Sequence, residues 1–283
     1  MDQRACFTPK TVKEAISLLS EYGDKAQVIA GGTDLLTRMK KGEVFPDYLI
    51  NMEGLKDLEY IRYDKKKGLR IGARTPIHSV VESPQIKDSF DIIAQAARTL
   101  GTPTIRRHAT IGGNLCNAAP SADMAPALIV LGAQLKIESS DGQKVVAVED
   151  FFAGPGETCL KRNEVLSEIQ VSDPPPKSRA VYLKQTRTRG ADLALVGVAA
   201  MVVMNGDIIE KVKISLGAVA PIPIRAKKAE EALRGKKPDE QLIERCAEEA
   251  LLESNPIDDV RSSAEYRKKL LKVLVRRAIE KIT

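Results

Sequence analysis

Two segments in which an apolar run ends at adjacent glycines constrain the fold more than any other feature of the sequence. The first, residues 28–36, reads VIAGGTDLL, and the second, residues 110–126, reads TIGGNLCNAAPSADMAP. Because glycine has no Cβ, such segments allow a tight turn and allow another group to approach the backbone closely. One such segment alone is more often a plain turn than a binding site, but two in one chain favour a shared ligand.

A pyrophosphate group is the ligand that suits this pattern. It is a concentrated anion that convergent backbone N–H groups can hold where no Cβ blocks its approach. The hydroxyl groups of Thr33 and Thr110 and the amide of Asn114 would add donors without adding charge. Two loops from different subdomains would hold one pyrophosphate from opposite sides, which predicts a dinucleotide. Neither segment matches the glycine fingerprint of a Rossmann site or of a P-loop.

Two aspartates lie within these segments. Asp34 would repel a phosphate, so we expect it to face away and, like Thr33, to be able to cap the following helix. Asp123 stands among small residues, where it could serve a turn or a cap. Alternatively, its carboxylate could accept hydrogen bonds from ribityl or ribose hydroxyl groups or from a ring N–H group.

The hydrophobic pattern predicts a β-α-β unit near the N-terminus. Residues 11–22 carry apolar side chains at helical spacing. A short buried strand then runs into the first glycine pair and is followed by a helix over residues 33–42 and a strand over residues 46–54. We therefore predict an N-terminal α/β subdomain over residues 1–55.

A second subdomain is predicted over residues 56–176. It contains a hairpin over residues 58–73 and a helix that ends at Gly101, directly before the second glycine segment. A proline run, residues 174–176, marks its boundary.

The remaining residues, 177–283, predict a C-terminal α+β domain. Three strands are expected there, with a turn at Asn205-Gly206, followed by a helical tail from Arg225. The longest apolar run, residues 193–204, is too short to span a bilayer and is predicted to be a buried strand.

Composition excludes several classes of protein. Hydrophobic residues make up 43% and charged residues 29%, which is typical of a globular protein. The net charge of +6 is spread among interspersed signs, and aromatic residues are only 4%, so we expect no nucleic-acid binding. The N-terminal residues lack the apolar core of a signal peptide, and we expect a cytoplasmic protein with no integral membrane segment.

Other catalytic chemistry finds little support. His78 and His108 have no carboxylate or cysteine at triad or ligand spacing, and Glu164 and Glu168 follow a Lys-Arg-Asn run that predicts a solvated face. The widely separated cysteines predict free thiols rather than a zinc or iron–sulfur site: Cys6, Cys116, Cys159 and Cys246. Redox chemistry, if present, must therefore come from a cofactor.

Together, IAGGTDLL and ATIGGNLCNAAPSAD closely resemble the FAD-binding subunit or domain of the molybdenum hydroxylases, the family of xanthine dehydrogenase and carbon monoxide dehydrogenase. The resemblance extends through FFAGPGETCLKRNEVLSEI and YLKQTRTRGADLALVGVAA to the C-terminal helical tail. It implies an α+β fold with two α/β subdomains that clasp FAD, a vanillyl-alcohol-oxidase/PCMH-like FAD-binding fold. A C-terminal domain with a small antiparallel sheet and helices would follow.

The resemblance also implies the residues of the FAD site. The first loop would comprise Val28, Ile29, Ala30, Gly31, Gly32, Thr33, Asp34 and Leu35. The second would comprise Thr110, Ile111, Gly112, Gly113 and Asn114. Four further positions match family FAD contacts: Leu100, where relatives carry an aromatic residue, Asp123, Leu166 and Lys184. Lys184 is either a strand-surface lysine or an ammonium near the flavin, where it would favour the anionic reduced ring.

The family arrangement implies that this polypeptide works with two others. A large subunit with molybdopterin would oxidise the substrate, a small subunit with two [2Fe-2S] clusters would relay electrons, and FAD here would pass them to NAD, a quinone or another acceptor. A dimer of such heterotrimers is expected. The sequence lacks the cysteine-bearing insertion that holds a [4Fe-4S] cluster in some relatives, so we expect no metal in this subunit.

Two alternatives stay open at the level of sequence. A self-contained FAD oxidoreductase of related fold would need its own substrate pocket and acid/base residues. A non-enzymatic assembly protein would use the glycine loops as plain turns and its helical tail to dock a partner. Stoichiometric flavin in the purified protein separates the second alternative from the other readings.

Overall fold

The N-terminal part of the computed structural model, which describes residues 5–188 and 192–283, is built around a parallel sheet. Its elements are β1 (Ala5–Phe7), α1 (Val12–Tyr22), β2 (Ala26–Ile29), α2 (Leu35–Lys40) and β3 (Tyr48–Asn51). The strand order is β1-β3-β2, and both pairings are parallel. Helix α1 begins where the Thr11 hydroxyl accepts a hydrogen bond from the Glu14 N–H group. The predicted β-α-β unit is confirmed, and it leaves β2 at the sheet edge.

The capping role predicted for Asp34 is wrong. Asp34 occupies the N-cap position of α2 but makes no capping hydrogen bond, and neither does Thr33. The physical reason is its backbone, which is already helical at φ −98° and ψ −50°. An N-cap side chain reaches back to the first helical N–H groups from an extended backbone.

The second part of the chain forms a five-stranded antiparallel sheet covered by helices. Its first elements are β4 (Ile61–Asp64), β5 (Gly68–Gly72), α3 (Ile77–Glu82), α4 (Pro84–Ser89), α5 (Asp91–Thr99), α6 (Pro103–His108), α7 (Ile111–Cys116) and α8 (Met124–Leu131). They are followed by β6 (Gln134–Ser139), β7 (Gly142–Ala147), a small hairpin of β8 (Phe152–Gly154) and β9 (Glu157–Thr158), and β10 (Val165–Val171). The sheet order is β4-β5-β10-β6-β7.

The C-terminal part combines an antiparallel sheet with three helices. Its elements are β11 (Ser178–Gln185), β12 (Val196–Asn205), β13 (Ile208–Gly217), β14 (Ile224–Arg225), α9 (Lys227–Leu233), α10 (Glu240–Glu253) and α11 (Ala264–Ile282). Strand β12 is the buried strand predicted from the long apolar run. Asn205 pairs with Ile208, so the two turn residues are Gly206 and Asp207, one position later than predicted.

The core of the second part continues into the C-terminal sheet. Tyr182, Ala199 and Met201 belong to the same buried cluster as the side chains of α5 and α8. A separate cluster lies between the C-terminal sheet and its helices, and a smaller one underlies the N-terminal sheet. In the described ranges, no helix combines the length and the hydrophobicity that crossing a membrane requires.

Candidate functional site

A cleft of about 700 Å³ separates the N-terminal sheet from the second part of the chain. Its walls come from the end of β2 and the loop after it, from α7 and the loop that follows it, and from residues 156–166. The predicted site residues that line it are Val28, Ile29, Ala30, Gly31, Gly32, Thr33, Asp34, Leu35, Leu100, Thr110, Gly112, Gly113, Asn114, Asp123 and Leu166. Ile111 and Lys184 do not border it. The volume falls within the range of small-molecule and cofactor sites.

The first glycine segment presents a row of backbone donors to this cleft. The N–H groups of residues 31–35 donate to no acceptor within the described part of the protein. Gly32 makes the turn with φ +68°, a value that favours glycine. A Cβ on Gly31 would overlap the carbonyl oxygen of His108, so this glycine lets the loop pack on the end of α6. The segment is therefore suited to hold an anion through its free N–H groups.

The second glycine segment is built differently. Residues 111–116 are helical, and the four N–H groups at the start of this helix are already used inside the protein. Ile111 donates to the Thr75 carbonyl (3.0 Å), Gly112 to the Ala73 carbonyl (2.8 Å), Gly113 to the Thr110 hydroxyl (3.0 Å), and Asn114 to the Thr110 carbonyl (2.9 Å).

The expectation that both loops donate backbone N–H groups to a pyrophosphate therefore does not hold for the second loop. Its free polar groups are side chains. The Asn114 Oδ1 atom accepts from the Met124 N–H group (3.3 Å), which leaves its Nδ2 donor for the cleft. A Cβ on Gly113 would approach only the Thr110 hydroxyl (2.8 Å), because the space beyond is open.

Asp123 is a buried carboxylate at the cleft wall, directly before α8, and only 5% of its surface is exposed. The Tyr182 hydroxyl donates to its Oδ1 atom (2.9 Å), and the Lys184 ammonium donates to its Oδ2 atom (2.9 Å). Burial raises the pKa of Asp123, and Lys184 and Tyr182 only partly offset that rise. The carboxylate is thus held by two donors from the C-terminal sheet.

Lys184 lies behind Asp123 rather than on the cleft wall. Its side chain is 4% exposed, and its ammonium also donates to the Thr99 carbonyl (2.9 Å). Of the two roles open to it in the sequence, the strand-surface role is wrong, because the side chain is buried. Within the described structure, the ammonium contacts the cleft only through the Asp123 carboxylate.

Leu100 and Leu166 supply aliphatic surface to the cleft, where they are 8% and 4% exposed. Leu100 follows the last residue of α5. The Arg106 guanidinium fixes this turn by donating to the carbonyl groups of Arg98, Leu100 and Gly101. No sequence pattern indicates this role of Arg106, because its partners are backbone atoms.

Several basic cleft residues were also missed from the sequence. Arg38, Arg74 and Arg162 line the cleft, and Arg162 forms an ion pair with Asp24 on the opposite wall. The Lys-Arg-Asn run that contains Arg162 was the available signal, but it was assigned to a solvated face. Arg38 and Arg74 also have acidic partners, Glu43 and Glu59, but a guanidinium carries five N–H donors and can bind an anionic ligand as well.

The predicted solvated face at Glu164 and Glu168 is wrong, because both carboxylates are buried. Glu164 accepts from the Lys144 ammonium at 2.8 Å, and Glu168 accepts from the Tyr60 hydroxyl at 2.6 Å. These partners lie far away in sequence, on β7 and before β4, so spacing within one strand could not reveal them. Both glutamates have structural partners.

The cysteines remain free thiols in the described structure. Cys116 lies on the cleft wall, where desolvation by the protein groups packed around it raises the pKa of its thiol. A thiol with so high a pKa stays neutral and is a poor nucleophile near neutral pH.

Comparisons with known proteins agree with this geometry. Residues 2–174 match the FAD binding domain in molybdopterin dehydrogenase, and residues 181–282 match the CO dehydrogenase flavoprotein C-terminal domain. The chain is 32% identical to the glyceraldehyde dehydrogenase medium chain of Sulfolobus acidocaldarius, over 96% of each chain. It is 31% identical to the carbon monoxide dehydrogenase medium chain of Hydrogenophaga pseudoflava, over 96% of this chain and 94% of that one.

The fold is shared as well. A solved carbon monoxide dehydrogenase structure from Hydrogenophaga pseudoflava superimposes with a TM-score of 0.95 at 31% identity. The superposition covers 98% of this chain and 96% of that chain. The predicted α+β architecture is thereby confirmed.

Proposed function

This chain belongs to the family of FAD-binding medium subunits of the molybdenum hydroxylases, and on that premise we propose how its cleft holds the cofactor. It is an oxidoreductase subunit that binds FAD. The observation that carries the proposal is the row of free N–H groups at residues 31–35, placed in a cleft large enough for a dinucleotide. These donors and the neighbouring arginines fit the pyrophosphate of FAD.

The remaining predicted residues would contact the rest of FAD. Thr110 and Asn114 would add side-chain donors on the far wall, and Leu100 and Leu166 would pack against apolar parts of the cofactor. Asp123 would accept a hydrogen bond from a hydroxyl or ring N–H group. Ile111 would support the wall from the core, since it is fully buried. When bound, FAD supplies the chemistry that links one-electron [2Fe-2S] clusters to an external acceptor.

The proposal extends to the assembly. A large subunit with molybdopterin and a small subunit with [2Fe-2S] clusters would complete the enzyme, as a dimer of heterotrimers in the cytoplasm. The acceptor would be NAD, a quinone or a comparable carrier. The subdomains would span residues 1–55, 56–176 and 177–283, with the first two enclosing FAD and the third supporting Asp123.

An absorption spectrum of the purified full chain tests this function first. We expect one FAD per chain, identified by chromatography after denaturation, and co-purification of the two partner subunits. A chain that takes up no flavin, even after incubation with FAD, would instead support the assembly-protein alternative. A chain that binds FAD and oxidises a substrate without partners would support the self-contained oxidoreductase.

A glycine substitution tests the cleft itself. Gly113→Ala adds a methyl group at the cleft wall, where its Cβ would lie 2.8 Å from the Thr110 hydroxyl and displace this cap. We expect FAD affinity to fall by about tenfold. The fold should persist, because the weakened cap costs about 1 kcal/mol and alanine gains about as much over glycine within a helix. Gly154→Ala is the matched control, because its Cβ would meet only the Glu157 side chain at 3.3 Å, away from the cleft. Equal FAD affinity in both variants would contradict the proposed position of the cofactor.

A further inference from the structure

We infer that Tyr182 is a positioning residue, which with Lys184 fixes the Asp123 carboxylate at the cleft wall and leaves its remaining lone pairs available to a donor group of the cofactor. The inference rests on the proposed FAD function and adds a residue that neither glycine segment contains. Tyr182 itself does not border the cleft, so it acts on a ligand only through Asp123.

The hydrogen bonds around Asp123 carry this inference. A carboxylate offers about four lone-pair sites, two on each oxygen. Tyr182 occupies one site on Oδ1 and Lys184 occupies one on Oδ2, each at 2.9 Å. Each oxygen therefore keeps one acceptor site, while the two donors prevent the carboxylate from rotating.

The neighbouring residues leave space for the Tyr182 hydroxyl and hold the tyrosine in place. A Cβ on Gly197, in the neighbouring strand β12, would lie 2.9 Å from this hydroxyl oxygen, so glycine leaves the room that the hydroxyl needs. The Tyr182 N–H group donates to the Gln95 side chain (2.9 Å), and Gln95 donates to Asp91 (2.7 Å). The position of the tyrosine is thus fixed from β12 on one side and from α5 on the other.

The charge on Asp123 gives a way to observe this role. Burial raises the pKa of Asp123, while the Lys184 ammonium and the Tyr182 hydroxyl lower it, and these are the groups that act on it within the described structure. The neighbouring polar atoms of α5, the Thr99 carbonyl and the Gln95 amide, are uncharged. Loss of the hydroxyl removes a hydrogen bond to the charged form, so it raises the pKa further.

The test is an FAD titration of the full-length Tyr182→Phe variant, followed by flavin fluorescence between about pH 5.5 and pH 8.5. We expect affinity near the wild-type value at high pH and a loss of about fivefold at the acidic end, because protonation removes an acceptor. The midpoint of this loss should lie at higher pH than in the wild type. In the double variant with Asp123→Asn, this additional pH dependence should disappear.

The control is Tyr63→Phe, which removes a hydroxyl that donates to the exposed Asp173 (3.0 Å) and should leave the profile unchanged. A Tyr182→Phe profile that matches the wild type, or one lowered equally at every pH, would overturn the inference, since the second result indicates a packing role. If Tyr182→Phe does not fold, Asp123→Asn alone must flatten the acidic limb, and a persisting limb overturns it. A wild-type chain that binds no FAD defeats the proposed function itself.

Discussion

Gly31 and Gly113 stand in similar sequence settings but meet different surroundings. Gly31 faces the carbonyl oxygen of His108, at the end of α6. Gly113 faces its own capping residue, Thr110, and otherwise open space. The first glycine is therefore required for the packing of its loop on α6, whereas a Cβ at the second would meet only the Thr110 hydroxyl and the cleft. Spacing alone cannot separate these roles, because both residues follow an apolar run.

Gly31→Ala should destabilise the protein even without cofactor. The added Cβ would overlap a backbone carbonyl, which cannot move without shifting α6, so we expect a loss of about 3 kcal/mol in the free energy of unfolding. Urea denaturation of the cofactor-free chain measures this. Gly113→Ala is the comparison and should stay within about 1 kcal/mol of the wild type. Equal stability of the two variants would show that the first glycine segment does not pack on the end of α6.

Strands and long helices follow from the sequence more directly than the structure of the second glycine segment does. Local periodicity was sufficient for α1, the hairpin of β4 and β5, and the buried strand β12. The segment at Thr110 is predicted to be a loop, whereas the structure contains a helix there, although adjacent glycines disfavour one. It forms α7 because Thr110 caps it and because carbonyl groups of residues 73 and 75 receive its first N–H groups.

The same distinction holds for the candidate site, where local motifs could be predicted and contacts between distant segments could not. The cleft-lining residues of both segments could be placed from the motif, since each motif is local. The contributions of Tyr182 and Arg106 depend on contacts between distant segments, and no spacing rule encodes them. Lys184 was recognised by its position, but its burial behind Asp123 required the packing of β11 against α5.

A buried arginine of helix α11 connects this helix to the residues next to β12 and β13. Arg267 is 3% exposed and donates to the Leu195 and Ala218 carbonyl groups and to Asp259 (2.8 Å). Burial alone would raise the pKa of Asp259, but hydrogen bonds from Arg261 and the charge of Arg267 outweigh it and hold the pKa well below its usual range. Because the folded pKa lies below the unfolded value, this carboxylate contributes stability at neutral pH that is lost on acidification.

Asp259→Asn should therefore change the pH dependence of stability. We expect a loss of about 2 kcal/mol at neutral pH, because a buried guanidinium loses its charged partner. The wild type should lose this advantage progressively below about pH 4, while the variant should not. Urea denaturation across this pH range measures the difference. Asp207→Asn, which removes a carboxylate from an exposed pair with Lys237, should leave the profile near that of the wild type.

The C-terminal domain contributes few residues to the cleft wall but supports that wall from behind. Among the described residues beyond 176, which exclude 189–191, only Asp192 and Leu193 reach the cleft. Yet Tyr182 and Lys184 hold Asp123 from that side, and Ala199 and Met201 share the core of α5 and α8. The two parts are therefore coupled by a common core and by a buried ion pair.

A fragment of residues 1–176 tests this coupling. It keeps almost all residues of the cleft wall, but Asp123 loses both donors and the apolar faces of α5 and α8 become exposed to water. We expect FAD affinity at least about tenfold weaker than in the full chain, together with a lower melting temperature and increased binding of a hydrophobic dye. The full chain under identical conditions is the reference, and addition of separately produced residues 177–283 should restore part of the affinity if the two pieces associate. A fragment that bound FAD as tightly as the full chain would show that the cleft is complete without its C-terminal support. The role of Lys184 and Tyr182 would then be limited to stability, because FAD would not require the fixed carboxylate.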